Sequence, residues 1–167
     1  MKTLLILRHA KSSWDDPDSA DFDRPLNARG LKTAPFVGNL MRERHVRVDL
    51  ILSSPARRAR ETASLVKEAA EIAAEIRYHE GIYEASPSSL LYILAETEND
   101  FESVLLVGHN PGLEGLIKIL TRGIQPMPTA ALAEIELNIE RWSEITPDCG
   151  KLNFIVRPKD EMKSLAR

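Results

Sequence analysis

The chain has 167 residues, enough for one domain with a substantial core. Hydrophobic residues make up 43% and charged residues 28%, which excludes a disordered or fibrous chain, and the formal net charge of -3 gives no support to non-specific nucleic-acid binding. Cys149 is the one cysteine, so an intrachain disulfide is excluded, and no stretch approaches the roughly 20 apolar residues of a membrane span.

The first predicted element is Thr3–Leu7, an apolar run that stops on Arg8 and His9. It is too short for a secretory h-region and charges follow it at once, so the expected location is the cytoplasm. A helix is expected over Leu31–Arg42. Val48–Leu52 is a second apolar run, leading into SSPARRARETA, where Ser54 is the expected N-cap and Pro55 the first helical residue. A helix after Pro87 follows from the spacing of Leu90, Leu91 and Leu94. The third apolar run, Val104–Val107, leads into GHNPG, where Asn110 and Pro111 repeat the Ser-Pro helix start. Near-continuous Leu, Ile and Val runs suit parallel strands covered on both faces.

The remainder reads differently. Ala133, Ile135, Leu137 and Ile139 alternate with polar residues, as do Leu152, Phe154 and Val156, with a turn at TPDCG between them. Helices and strands therefore alternate first, and an antiparallel pair closes the sheet. The expected fold class is α/β, a three-layer α/β/α sandwich with a mostly parallel mixed sheet in one domain over residues 1–167. The final PKDEMKSLAR reads as a short tail or frayed helix.

In open α/β sheets, ligands bind beyond the carboxyl ends of the strands. Those ends carry Arg8-His9, the pair Arg57-Arg58, and His109. Two of the three sites open helices, whose free N–H groups and dipole favour anions. Guanidinium groups match phosphate oxygens in bidentate fashion, so a compact phosphate pocket is the expectation. Each piece alone has a plainer reading: a strand end meeting water, a solvated helix face, a turn histidine bonded to backbone. Their agreement at three separate strand ends carries the functional reading. His45 and His79 lie in charged stretches and read as surface residues, and Cys149 as incidental. The arginines beside the histidines would repel a cation, so neither metal nor cofactor is expected.

LRHAKSSW resembles the Arg-His-Gly motif that opens the histidine phosphatase superfamily, the phosphoglycerate-mutase-like group. SSPARRARETA resembles that group's Ser-Pro-x-x-Arg-Ala-x-x-Thr segment, which aligns Arg58, Ala59 and Thr62, rather than Arg57, with its motif. VGHNPG resembles the segment carrying its second catalytic histidine, and DRPLNARG (Asp23–Gly30) the segment after the first motif in the small SixA-type phosphohistidine phosphatases. Two departures stand out. Ala10 replaces the usual glycine, tolerable where the backbone does not need φ > 0. Asp15 lies where mutase relatives often have asparagine on phosphate, and a carboxylate there would repel it.

The resemblance implies that His9 is the nucleophile of a phosphohistidine intermediate. Arg8, Arg58 and His109 would bind substrate and stabilise the transferring group. Glu84 is the possible proton donor, with Glu80 behind it; the plainer reading of Glu84 is a carboxylate favouring a helix start. A histidine leaving group, with a pKa of about 6.5, leaves more easily than an alcohol and needs the acid less. The expected partner is a phosphorylated protein of the phosphorelay or phosphotransfer (HPt) kind. Small phosphoesters or pyrophosphates are the alternative substrates, and a non-catalytic phosphate-binding regulatory module is the alternative of another class. No membrane or nucleic-acid partner is expected, and a monomer is the default.

Overall fold

A computed structural model describes residues 1–165. Its sheet has six strands: β1 (Lys2–Arg8), β2 (Leu50–Ser53), β3 (Ile76–Tyr78), β4 (Ser103–Gly108), β5 (Leu132–Leu137) and β6 (Gly150–Val156). They lie in the order β3-β2-β4-β1-β5-β6. The four strands from β3 to β1 are parallel, and β5 joins β1 and β6 by antiparallel pairing, as the alternation in the second half predicts. The helices are α1 (Ala28–Glu43), α2 (Arg57–Ala70), α3 (Pro87–Ala95), α4 (Gly112–Thr121) and α5 (Pro158–Leu165).

Strand β1 explains why an unbroken apolar run is needed. Successive side chains point to opposite faces. Leu4 and Ile6 enter a core with Leu90 and Leu94 of α3 and Leu116 of α4. Leu5 and Leu7 enter a second core with Val37 and Met41 of α1 and Val66 of α2. The sheet is therefore the middle of three layers. No helix among the described residues is long and apolar enough to cross a membrane.

Several boundaries differ from the sequence reading. Strand β3 has only three residues, two of them half-buried, too few for a periodic signal. Helix α1 begins earlier than Leu31, because Asn27 is its N-cap and accepts from the Gly30 N–H at 2.9 Å. Ser54 and Pro55 do not start α2: the helix begins at Arg57 after an extended Ala56, while the Ser54 hydroxyl accepts from the Ala56 N–H at 3.2 Å. The start of α4 is likewise one residue later than Asn110, with Pro111 in the capping position. The predicted tail is mostly α5; Ala166 and Arg167 lie outside the described residues.

Candidate active site

The register brings the two histidines together before any side chain is considered. Arg8 of β1 pairs with Gly108 of β4, so His9 and His109 follow at the same level of adjacent strands. The His9 N–H donates to the Gly108 carbonyl at 3.1 Å, and the imidazole centroids are 5.1 Å apart. Beside them, the Ser54 N–H donates to the Val107 carbonyl at 3.0 Å, which aligns the exit of β2 with that of β4. Thr62 of α2 then ties the first motif to the second: its hydroxyl donates to the Arg58 carbonyl at 2.7 Å and accepts from the Ala10 N–H at 3.0 Å.

Ala10 is fully buried and is not among the residues with positive φ, so alanine fits where the family usually has glycine. Gly30 meets a different demand. A Cβ there would collide with the Lys11 carbonyl, so the Asp23–Gly30 segment packs backbone against the loop that follows His9.

The His9 imidazole is fixed by one contact. Its Nδ1 lies 2.7 Å from the Ala10 carbonyl, which can only accept, so Nδ1 carries the proton and Nε2 keeps its lone pair. Burial lowers the pKa of His9 to about 3, aided by His109, Arg58 and Arg8, against the opposing pull of the Ala10 carbonyl. His109 is lowered to about 4, again chiefly by burial and then by Arg58. Its Nε2 lies 2.8 Å from the Ser54 hydroxyl. The free site thus presents two neutral imidazoles among cations.

The two adjacent arginines of α2 separate sharply. Arg58 is buried, whereas Arg57 is half-exposed and lies 3.8 Å from Glu61. The terminal nitrogens of Arg58 donate to the Asp21 carbonyl at 2.7 Å and to its carboxylate at 3.1 Å. That same carboxylate accepts from the Tyr83 hydroxyl at 2.6 Å and from Arg24 at 3.1 Å. Tyr83, then Arg58 and Arg24, hold the Asp21 carboxyl down at about 2. Arg8 donates to the Met127 carbonyl at 3.2 Å, and burial lowers its pKa against the pull of Glu114. Arg8 Nε, Arg58 Nε and His109 Nδ1 are buried without partners among the described residues.

These side chains line a cavity of about 230 Å³. Arg8, His9, Arg58 and His109 all face it, joined by Lys11 and Arg24, and no carboxylate lines it. Unpartnered guanidinium nitrogens in a cation-lined hollow suit an anion with several oxygens. Glu84 is elsewhere: it is exposed, has φ of 54°, and is not among the lining residues. Glu80, Asp15, His45 and His79 are also exposed. Sequence reasoning expects the loops Asp15–Pro25 and Tyr83–Ser88 to border the pocket, but it missed the parts that Asp21 and Tyr83 play within them and the part played by Ser54. Arg24, in the first loop, lines the cavity, whereas no residue of the second does.

A three-layer sheet whose parallel strand ends gather two neutral histidines among arginines defines an α/β protein of the phosphoglycerate-mutase-like class. The chain belongs to the histidine phosphatase superfamily (branch 1), whose family description matches residues 4–91. An uncharacterised protein of Mycobacterium tuberculosis is 31% identical over 157 residues, covering 87% of this chain and 96% of that protein. The phosphohistidine phosphatase SixA of Escherichia coli is 25% identical over 139 residues, covering 81% of this chain and 85% of SixA. Among solved structures, a candidate SixA from Agrobacterium tumefaciens has TM-score 0.82 and 30% identity, covering 94% of this chain and 98% of its own. The tungstate complex of the protein histidine phosphatase SixA, at 23% identity, has the same fold, with TM-score 0.82 over 95% of this chain and 99% of its own. Family and neighbours together support a phosphatase.

Proposed function

We propose that the protein is a phosphatase that removes the phosphoryl group of a phosphohistidine in another protein, through a phosphohistidine formed on His9. The observation that carries this reading is the His9 Nδ1 contact with the Ala10 carbonyl, which leaves Nε2 unprotonated in a cation-lined cavity. Depression of its pKa to about 3 keeps this nucleophile free of a proton through the neutral range.

In the first step the Nε2 lone pair forms a bond to phosphorus. The bond to the leaving nitrogen breaks and its electron pair stays with the departing ring, which leaves as neutral imidazole because its other nitrogen already carries a proton in the phosphorylated substrate. Arg8, Arg58 and His109 stabilise the equatorial oxygens; transfer of this kind depends mainly on positioning and charge stabilisation. In the second step water attacks phosphorus, the P–Nε2 bond breaks, and inorganic phosphate and a proton are released. The approach of an anionic phosphoryl group favours protonation of His109, so its lowered pKa belongs to the unliganded site.

The absence of a carboxylate from the cavity lining supports a leaving group that needs no strong acid. Imidazole, with a pKa of about 6.5, is such a group. Glu84, with Glu80 behind it, is the donor we assign to poorer leaving groups. The exposed Trp14 at the rim, stacked 3.5 Å from the Arg24 guanidinium, supports a macromolecular partner.

The test uses a phosphohistidine-bearing phosphotransfer domain as substrate, with p-nitrophenyl phosphate alongside. Wild type should release phosphate rapidly from the first and carry a transient acid-labile phosphate, and His9→Ala should do neither. Turnover of the small ester alone, still dependent on His9, would move the substrate to a small metabolite. Phosphate release undiminished in His9→Ala would overturn the mechanism.

A further inference from the structure

We propose that the catalytic cavity continues into a basic groove that docks an acidic segment of the phosphorylated protein, an inference that rests on the phosphohistidine reading for the nature of its partner. Two further hollows, of about 300 and 260 Å³, extend the cavity across the surface. The first shares Arg8, Lys11 and Thr129 with the cavity. The second shares Arg29, Thr33 and Lys159 with the first. The three therefore adjoin one another through common wall residues.

Its charge is one-sided. Beyond the catalytic arginines it is lined by Lys11, Arg29, Lys32, Lys159 and Lys163, and by no carboxylate in any of the three parts. This occurs in a chain with 25 acidic and 22 basic residues, so the one-sided lining does not follow from overall composition. Asp160 and Glu161 lie on α5 between the groove lysines, yet neither lines the groove. None of the five cations is within ion-pair distance of a carboxylate among the described residues.

The fold produces this segregation. Arg29 and Lys32 are three residues apart at the start of α1, and Lys159 and Lys163 four apart on α5, so each pair shares one helix face. Lys11 follows His9 on the same loop and joins both pairs to the cavity. Arg29, Lys32, Lys159 and Lys163 are all exposed. Spread, exposed cations of this kind match spaced carboxylates on a protein surface. A compact second phosphate would instead call for convergent buried donors, as in the catalytic cavity. The groove thus gives the partner charge complementarity and orients its phosphohistidine toward His9.

The test compares two phosphohistidine peptides, one flanked by five glutamates and one by five glutamines, with p-nitrophenyl phosphate as the small substrate. At low salt the acidic peptide should have about 10-fold higher kcat/KM, carried by KM, and the preference should shrink at high salt. Lys32→Glu/Lys159→Glu/Lys163→Glu should erase that preference and leave p-nitrophenyl phosphate turnover unchanged; a Lys→Gln triple variant gives the same test should charge reversal disturb folding. A labelled, unphosphorylated glutamate peptide, followed by anisotropy, reads the groove without chemistry. It should bind wild type and not the reversed variant. Equal turnover of both peptides, or peptide binding that survives the reversal, would overturn the groove. Tripolyphosphate displacing the peptide at far lower concentration than free glutamate peptide would reassign it to small polyanions and overturn the protein segment. Failure of both phosphopeptides with intact glutamate-peptide binding would overturn the phosphohistidine reading and leave the groove.

Discussion

Strands β1, β2 and β4 run parallel and each delivers polar groups to the cavity region just past its carboxyl end, whereas the antiparallel β5 and β6 turn mainly apolar residues inward and bring no charged side chain to the cavity. The contrast follows from connectivity. Parallel neighbours need a crossover, here a helix, so their carboxyl ends share one edge of the sheet, where the next helix begins. Cations and neutral histidines gathered there reinforce one another. The antiparallel half contributes through backbone instead. The Ala130 N–H donates to the carbonyls of Arg8 and His9 at 3.1 and 3.0 Å, and the Met127 carbonyl holds both Arg8 and Asn110. One half supplies the charged groups and histidines that line the cavity; the other braces them.

A pair of substitutions should separate these tasks. Trp142, between β5 and β6, is fully buried, and its indole N–H donates to the Phe101 carbonyl at 2.7 Å. Trp142→Ala should cost about 3–5 kcal/mol in urea unfolding, through the cavity it leaves and one lost hydrogen bond, with kcat of the folded fraction nearly unchanged. Arg58→Ala should do the reverse, lowering kcat/KM by about 10²–10³ with a much smaller loss of stability. If Trp142→Ala removed activity from well-folded protein, or Arg58→Ala mainly unfolded the chain, the division between the halves would not stand.

A second effect on stability should appear in its pH dependence. His9 and His109 are lowered to about 3 and about 4, while unfolded histidine titrates at about 6.5. Below about 6.5 the unfolded chain takes up protons that the folded site refuses, so folding stability falls as the pH drops from there toward these lowered values. Urea unfolding at pH 7 and pH 5 should show the loss, and His9→Ala/His109→Ala should flatten it. An unchanged slope in the double variant would mean that other groups at the edge of the sheet dominate.

What the sequence revealed of this arrangement divides along the same line. Buried parallel strands need unbroken apolar runs, so β1, β2 and β4 and the residues at their ends could be read directly. The Arg8-His9 pair, the Arg57-Arg58 pair and His109 were legible because the chain places each shortly after such a run, and the resemblance of SPARRARET to the family's motif picks Arg58 over Arg57. The short β3 carries no period. The Ser54 and Asn110 helix starts were misplaced because the sequence does not show that the Ser54 hydroxyl meets Ala56 and His109, or that Asn110 reaches Met127. The loop that holds Asp21 was expected beside the pocket, but the part Asp21 plays there was invisible for a similar reason. Its hold on Arg58, Arg24 and Tyr83 joins three segments that only the tertiary fold brings together.

The smallest expected effect concerns Glu84, which lies beyond β3 on the parallel side of the sheet. Its segment takes part in the site through Tyr83, whose ring packs edge-on to His109 with centroids 5.5 Å apart. Glu84 itself is exposed and does not line the cavity. On a phosphohistidine peptide, Glu84→Gln should change kcat by no more than about twofold, because the departing imidazole needs little help from an acid. On a phosphoserine peptide the alkoxide leaving group is far more basic, and the same substitution should slow the reaction. General acids typically contribute about 10²–10⁴ in rate, so the two outcomes are well separated. A loss of that size on the phosphohistidine peptide would mean that the departing imidazole, too, depends on a proton from Glu84. The ease of expelling the leaving group would then cease to explain the preference for phosphohistidine.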